Sequence, residues 1–231
     1  MPSKNVIKRY LENGFYHLYN RGVEKRKIFL DEQDYSVFLS YLKEYLLPKD
    51  EDALYKIISD LNASPLEKDK ARKLLRLNNF SKELVLLSYC LMPNHFHFFV
   101  KQKSPNSIDK FMNSLCTRYT MYFNKKYKRV GSLYQGVYKA VLIQNHEQFL
   151  HLSRYIHKQA LVLQGVVLQN IRRREQPSSY KEYLGQRKTD WINTSEILSY
   201  FSKNNPSLSY QAFVNEIDEE NEILQEITLD D

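Results

Sequence analysis

The chain has 231 residues, 42% of them hydrophobic, which supports a buried core and argues against wholesale disorder. No apolar run approaches the ~20 residues that cross a bilayer, and residues 1–10 are polar and basic rather than signal-like, so a cytoplasmic protein with no membrane partner is expected. The net charge of +7 hides an asymmetry: residues 216–231 carry eight acids and no Lys or Arg, leaving 34 bases against 19 acids before them, an excess of +15.

Such an excess favours a polyanionic partner. Eighteen tyrosines interleaved with the bases suit a surface that grips phosphates and stacks bases, although most of them individually read as core and rim residues. Cys90 and Cys116 lie far apart with no CxxC, which argues against a disulfide scaffold or zinc knuckle; both read as buried thiols.

In chain order, residues 14–21 alternate, with Phe15, His17 and Tyr19 on one face and Tyr16, Leu18 and Asn20 on the other, the pattern of a strand. Residues 22–27 (GVEKRK) form a basic turn. Asp31 opens a helix that carries Tyr35, Phe38, Leu39, Leu42 and Leu46 at helical spacing and ends at Pro48. Residues 49–82 are charged and weakly helical, an insertion of two short helices with Ser64-Pro65 starting the second.

Residues 83–91 are short and almost continuously apolar, which suits a central strand. Pro93-Asn94 turns the chain into a strand over 95–101. A helix over 106–124 buries Ile108, Phe111, Met112, Leu115, Tyr119 and Tyr122. A basic stretch, Lys125 to Arg129, and Gly131 lead to a strand-like segment over 132–142. Asn145 caps a helix over 146–163, with Gln148 completing a capping box and Gly165 ending it.

This order predicts an α+β fold, a ferredoxin-like split βαβ sandwich with an antiparallel sheet and helices on one face. Beyond it, residues 171–190 read as a basic loop. Residues 191–214 read as a small helical module, begun at Thr194-Ser195-Glu196 and again at Ser207 to Ser209. The expected parts are a domain over 1–165 with its insertion at 49–82, an extension over 166–215, and the acidic tail.

The sharpest feature is His95-Phe96-His97 inside a strand. Residues at i and i+2 share a face, so two imidazoles stand side by side while Phe96 and Phe98 point into the core. Two neutral imidazoles can share one divalent ion; two histidines on a half-exposed sheet face give the same pattern. An ion also needs an oxygen donor, with open positions for a phosphate. His151, Tyr155 and Gln159 form one stripe on the helix over 146–163. A Gln carbonyl there can complete a metal site while the neighbouring phenol attacks phosphorus; on spacing alone a solvent-facing helix rim is the better fit.

LMPNHFHFF resembles the LMPNHxHxx signature of the REP-associated tyrosine transposases, in the single-tyrosine branch of the HUH endonucleases. FYHLYNRG is similar to that family's first strand and turn, IFLDEQDYSVFLSYL to its first helix, and YTMYFNKKYKRVGSLYQGVYKAVLI to the run from second helix to last strand. Tyr134-Gln135-Gly136 stands where such proteins usually carry Trp-Gln-Gly. RYIHKQAL resembles the catalytic-tyrosine helix, and QPSSYKEYLG the Ser-Ser segment beyond it. The resemblance covers most of residues 14–185 and is weakest at 49–82 and in the tail.

The resemblance implies that His95 and His97 bind a metal, that Tyr155 is the nucleophile, and that Gln159 supplies the third ligand. Many REP-associated members carry Asn-Pro at this last position, and insertion-sequence transposases carry Gln. It implies Mg²⁺ or Mn²⁺, with zinc the alternative for a histidine pair. It also implies a 5′-phosphotyrosine with a free 3′-OH, formed on single-stranded DNA with hairpin or palindromic repeats. Relatives act as monomers or homodimers.

Candidate phosphate contacts are Arg21, Lys25, Arg26 and Lys27, then Lys125, Lys126, Lys128 and Arg129, then Arg172, Arg173 and Arg174. The competing expectations are a non-catalytic DNA-binding regulator of repeats on the same fold, a phosphohydrolase that uses the histidines with water, and a plain structural protein. The acidic tail is expected either to cover the basic groove or to stay solvated.

Overall fold

In a computed structural model of the chain, residues 10–165 and 176–216 are described. Four strands, β1 (Phe15–Arg21), β2 (Leu84–Met92), β3 (His95–Gln102) and β4 (Lys139–Leu142), form one sheet in the order β2-β3-β1-β4, every neighbouring pair antiparallel. Helix α1 (Glu32–Leu46) connects β1 to β2 and α4 (Ser107–Lys126) connects β3 to β4. This is the expected split βαβ topology.

The alternation of β3 sorts the core into two layers. Phe96, Phe98 and Val100 join Tyr16 and Leu18 of β1 against Phe38 and Leu42 of α1 and Phe111, Leu115 and Tyr119 of α4. Each fully buried Phe contributes roughly 1.5–3 kcal/mol of burial free energy. On the opposite face, Phe99 joins Leu87, Cys90 and Met92 of β2 under a fifth helix, α5 (His146–Gly165), which brings Phe149, Leu152, Ile156 and Ala160. An irregularity between Leu86 and Ser88 shifts the register of β2. Leu84, Leu86, Tyr89 and Leu91 then lie in the first layer, with Leu87, Cys90 and Met92 in the second. An almost continuous apolar run is therefore buried on both sides.

Asp31 caps α1 by accepting from the Asp34 N–H. The fully buried Asp34 carboxylate accepts from Leu30 N–H, Tyr122, Tyr127 and Lys126, tying the start of α1 to the end of α4. A buried carboxylate is tolerated only when so paired. The insertion forms α2 (Glu51–Ser59) and α3 (Pro65–Arg76), the latter opened by a Ser64–Glu67 capping box.

Three expectations change. The strand expected over 132–142 is regular only over Lys139–Leu142. Leu133, Tyr134 and Tyr138 turn inward to the α1/α4 layer instead, which pulls that stretch off the sheet edge. Cys116 is half-buried, because only Cys90 lies on a strand covered on both faces. The region read as a basic loop over 171–190 is, in its described part, a covering strip. Leu91 N–H donates to Pro177 O (2.9 Å), Ser179 N–H to Tyr89 O (3.0 Å) and Asn193 N–H to Leu86 O (2.9 Å), which closes the outer edge of β2. Short helices α6 (Tyr180–Tyr183), α7 (Ser195–Leu198) and α8 (Tyr210–Asn215) then pack Tyr180, Ile197, Tyr210 and Val214 into the α5 layer. Among the described residues, no helix is long and apolar enough to cross a membrane.

Candidate functional site

β3 presents His95 and His97 on the α5 face with ring centroids 4.9 Å apart and planes at 85°. β1 sets Tyr19 opposite His97 and Arg21 opposite His95, so His17, Tyr19 and Arg21 share that face. His97 is fully buried and His95 half-buried.

The hydrogen bonds of the two rings determine which nitrogens they present. His95 Nδ1 lies 2.7 Å from Asn94 Oδ1, an acceptor, so it carries the proton and leaves the Nε2 lone pair facing outward from that bond. His97 Nδ1 lies 2.9 Å from His17 Nε2, inside the protein. His97 Nε2 is buried and has no hydrogen-bond partner among the described residues. Burial, with His17 and His95 adding to it, holds His97 well below the usual histidine range, so the ring is neutral. An orphaned, neutral imidazole nitrogen is the donor that a cation requires.

Tyr155 stands on the same face. Its ring is 5.5 Å from that of His97 and 6.1 Å from that of His17, nearly perpendicular to both. Helix α5 reaches this point because its first turn is anchored at the far end of the sheet, where Phe149 packs on Phe15 at 5.0 Å and Phe99 at 5.2 Å. Asn145 caps the helix by accepting from Gln148 N–H (2.8 Å), while the Gln148 carboxamide reaches Gln144 N–H, one residue before the cap. Gln159, half-buried, lies one helical turn, about 6 Å of rise, beyond Tyr155. His151, the third member of the stripe, packs against Phe213 of the C-terminal module at 5.4 Å. No group of three His, Cys, Asp or Glu side chains among the described residues is placed to hold a metal.

Alternation along β1 assigns His17 a face and no role, though its parity with Tyr19 puts it on the side of the histidine pair. The basic turn folds beside the pair: Gly22 N–H donates to Asn94 O, and Ile28 and Phe29 N–H to Pro93 O. A Cβ on Gly22 would meet Arg26 O at 2.2 Å, so only glycine permits that turn. Arg21 Nε donates to Gln135 Oε1 (3.2 Å), and Arg26 pairs with Glu24. Lys126 is held by Asp31 and Asp34, and Arg129 donates to Asn124 and Ser132. Lys25, Lys27, Lys125 and Lys128 are exposed. Arg172, Arg173 and Arg174, and the acidic tail beyond Glu216, lie outside the described residues.

Residues 63–159 match the family described as "Transposase IS200 like", a span that holds His95, His97, Tyr155 and Gln159. No curated protein matches the chain. Three solved structures are similar to it. One is a REP-associated tyrosine transposase bound to a REP hairpin, at 14% identity and TM-score 0.46, covering 82% of this chain and 92% of that one. Another is a protein of Deinococcus radiodurans R1 provisionally described as a transposase, at 16% identity and TM-score 0.28, covering 66% and 95%. The third is tRNA(His) guanylyltransferase of Saccharomyces cerevisiae, at 12% identity and TM-score 0.32, covering 69% and 63%. Likenesses at these scores bear on neither activity nor substrate.

Proposed function

We propose that the chain, whose residues 63–159 match the family of IS200-like transposases, cuts and rejoins single-stranded hairpin DNA through Tyr155. The observation that carries the proposal is Tyr155 beside the buried His97, the inner member of the histidine pair. The Tyr155 phenol oxygen attacks the scissile phosphorus and loses its proton. The P–O3′ bond breaks, and the 3′ oxygen takes up a proton. A 5′-phosphotyrosine and a free 3′-OH result, and attack by a 3′-OH reverses the sequence. The covalent link conserves the bond energy, so no nucleotide cofactor is needed.

The residues present fit a divalent cation. His95 Nδ1 is committed to Asn94 and His97 Nδ1 to His17, which turns both Nε2 atoms to the task, and the buried His97 Nε2 has no other partner among the described residues. Mg²⁺ or Mn²⁺ held by His95, His97 and Gln159 would neutralise a non-bridging phosphate oxygen. His17 sets the tautomer: its Nε2 must accept from His97 Nδ1–H, since the reverse bond would place a proton on His97 Nε2. Arg21, on the same face as His95, faces the phosphate, and the exposed Lys25, Lys27, Lys125 and Lys128 grip the backbone on either side. The excess of +15 before the acidic tail supports a nucleic-acid partner.

The test is a labelled single-stranded hairpin from the repeats flanking the gene, incubated with Mn²⁺ and resolved on a denaturing gel. Wild type is expected to give a covalent protein–DNA band. Tyr155→Phe is expected to lower its formation on the order of 10⁴-fold or more. Binding without a band would replace this proposal with a non-catalytic regulator of repeats. Full cleavage by Tyr155→Phe would replace it with water attack.

A further inference from the structure

Two residues past Tyr155, on the opposite side of α5, His157 is fully buried and is not among the groups proposed to act on the phosphate. Its Nε2 lies 2.8 Å from Ser179 Oγ, and its Nδ1 lies 2.6 Å from the Tyr210 hydroxyl. Ser179 Oγ in turn accepts from the Tyr89 N–H of β2 at 2.9 Å. The Tyr210 hydroxyl donates to Ser153 Oγ at 3.2 Å, and Ser153 donates to Leu150 O at 2.7 Å.

These bonds admit one continuous assignment. Tyr89 N–H donates to Ser179, the Ser179 hydroxyl to His157 Nε2, His157 Nδ1–H to Tyr210, Tyr210 to Ser153, and Ser153 to the backbone of α5. In this assignment the Ser179 hydroxyl takes the nearer of its two acceptors, His157 Nε2 at 2.8 Å rather than Tyr89 O at 3.4 Å, and His157 is neutral. Burial keeps it so, holding its pKa down to about 3.

The anchors are Ser153 and His157, one turn apart, with Tyr155 midway between them in sequence. At about 100° per residue, Tyr155 projects about 200° around the helix from each. Fixing the back of the helix at two levels fixes the rotation of its front. We infer that His157 is the positioning residue for Tyr155, acting through Ser179 and Tyr210. Residues 176–216, which lie beyond the matched span of 63–159, are thereby a working part of the site. The inference rests on Tyr155 as the nucleophile.

The test uses the full chain, with Ser179→Ala and Tyr210→Phe each removing one hydroxyl from opposite ends of the relay. Ile108→Val, in the α1/α4 layer, serves as a destabilised control outside it. Three quantities are read: single-turnover cleavage of the hairpin, hairpin affinity, and amide exchange over residues 150–160. Both relay variants are expected to speed exchange in α5 about tenfold, and to slow cleavage on the order of 10²-fold with affinity unchanged. The control is expected to lower Tm without changing the cleavage rate. Unchanged exchange in both relay variants would overturn the clamp. Faster exchange with an unchanged cleavage rate would overturn its link to Tyr155. If wild type forms no covalent band, the nucleophile proposal falls by itself, and the exchange result still decides the clamp.

Discussion

Phe96 and Phe98 of β3 face α1 and α4 among Phe38, Leu42, Phe111 and Leu115, a layer built almost entirely by apolar burial. Their strand neighbours His95 and His97 face α5 beside His17, Tyr19, Arg21 and Tyr155. The two sets of side chains come from consecutive residues of the same strand and differ only in parity. One face is satisfied by shape alone. The other places polar rings in the interior, where each must find a partner or remain neutral. His17 and His97 partially satisfy one another, and the orphaned His97 Nε2 is a cost the fold itself does not require.

The largest effect that separates the faces is on stability. Phe98→Ala is expected to cost about 3–5 kcal/mol in urea unfolding, the usual cost of emptying a fully buried aromatic site. A loss under about 1 kcal/mol would mean that the α1/α4 layer collapses around the hole and is less close-packed than its contacts imply.

The next effect belongs to the other face. His17→Phe keeps a ring in β1 but removes the hydrogen-bond partner of His97 Nδ1, the acceptor in the proposed metal site. Mn²⁺ affinity, measured by calorimetry, is expected to fall about 10–100-fold, with urea stability changed by less than Phe98→Ala changes it. Undiminished Mn²⁺ affinity would reduce His17 to a packing residue and erase this part of the contrast between the faces.

Parity makes much of this legible in the sequence. The alternation in GFYHLYNR and HFHFFVK assigns Phe96, Phe98, His95 and His97 to their faces, and the spacing of Tyr155 and Gln159 puts both on one helical stripe. What spacing cannot supply is which element covers a face. Nothing local in residues 176–193 shows that their backbone closes the edge of β2, because those bonds join residues about ninety positions apart in the chain. His157 reads as one more polar residue on a helix for the same reason: its partners, Ser179 and Tyr210, are brought to it only by tertiary folding. Lys126 and Arg129 are legible as charge but not as engaged charge, since Asp31 and Asp34 lie on a different helix start and Asn124 one turn back.

A further effect is on the response to acid, and it too should come from the α5 face. Burial holds His157 at about 3, against 6.5 for the ordinary side chain. A histidine with a depressed folded pKa is neutral when native and takes up a proton on unfolding. Its contribution to stability is therefore complete above about pH 6.5, falls as the unfolded form gains that proton, and is lost by about pH 3. In that window the slope is about 1.4 kcal/mol per pH unit for one proton. Carboxylates titrate there as well, so the informative quantity is a difference. His157→Gln keeps an amide in the relay and removes the titration. It is expected to flatten the dependence of unfolding free energy on pH by one proton between about pH 6 and 4. Val100→Ala, a change on the apolar face, should lower the whole curve without changing its slope. Equal slopes in wild type and His157→Gln would mean that the ring protonates within the native protein, and that the helix carrying Tyr155 is opened by acid before the rest of the fold gives way.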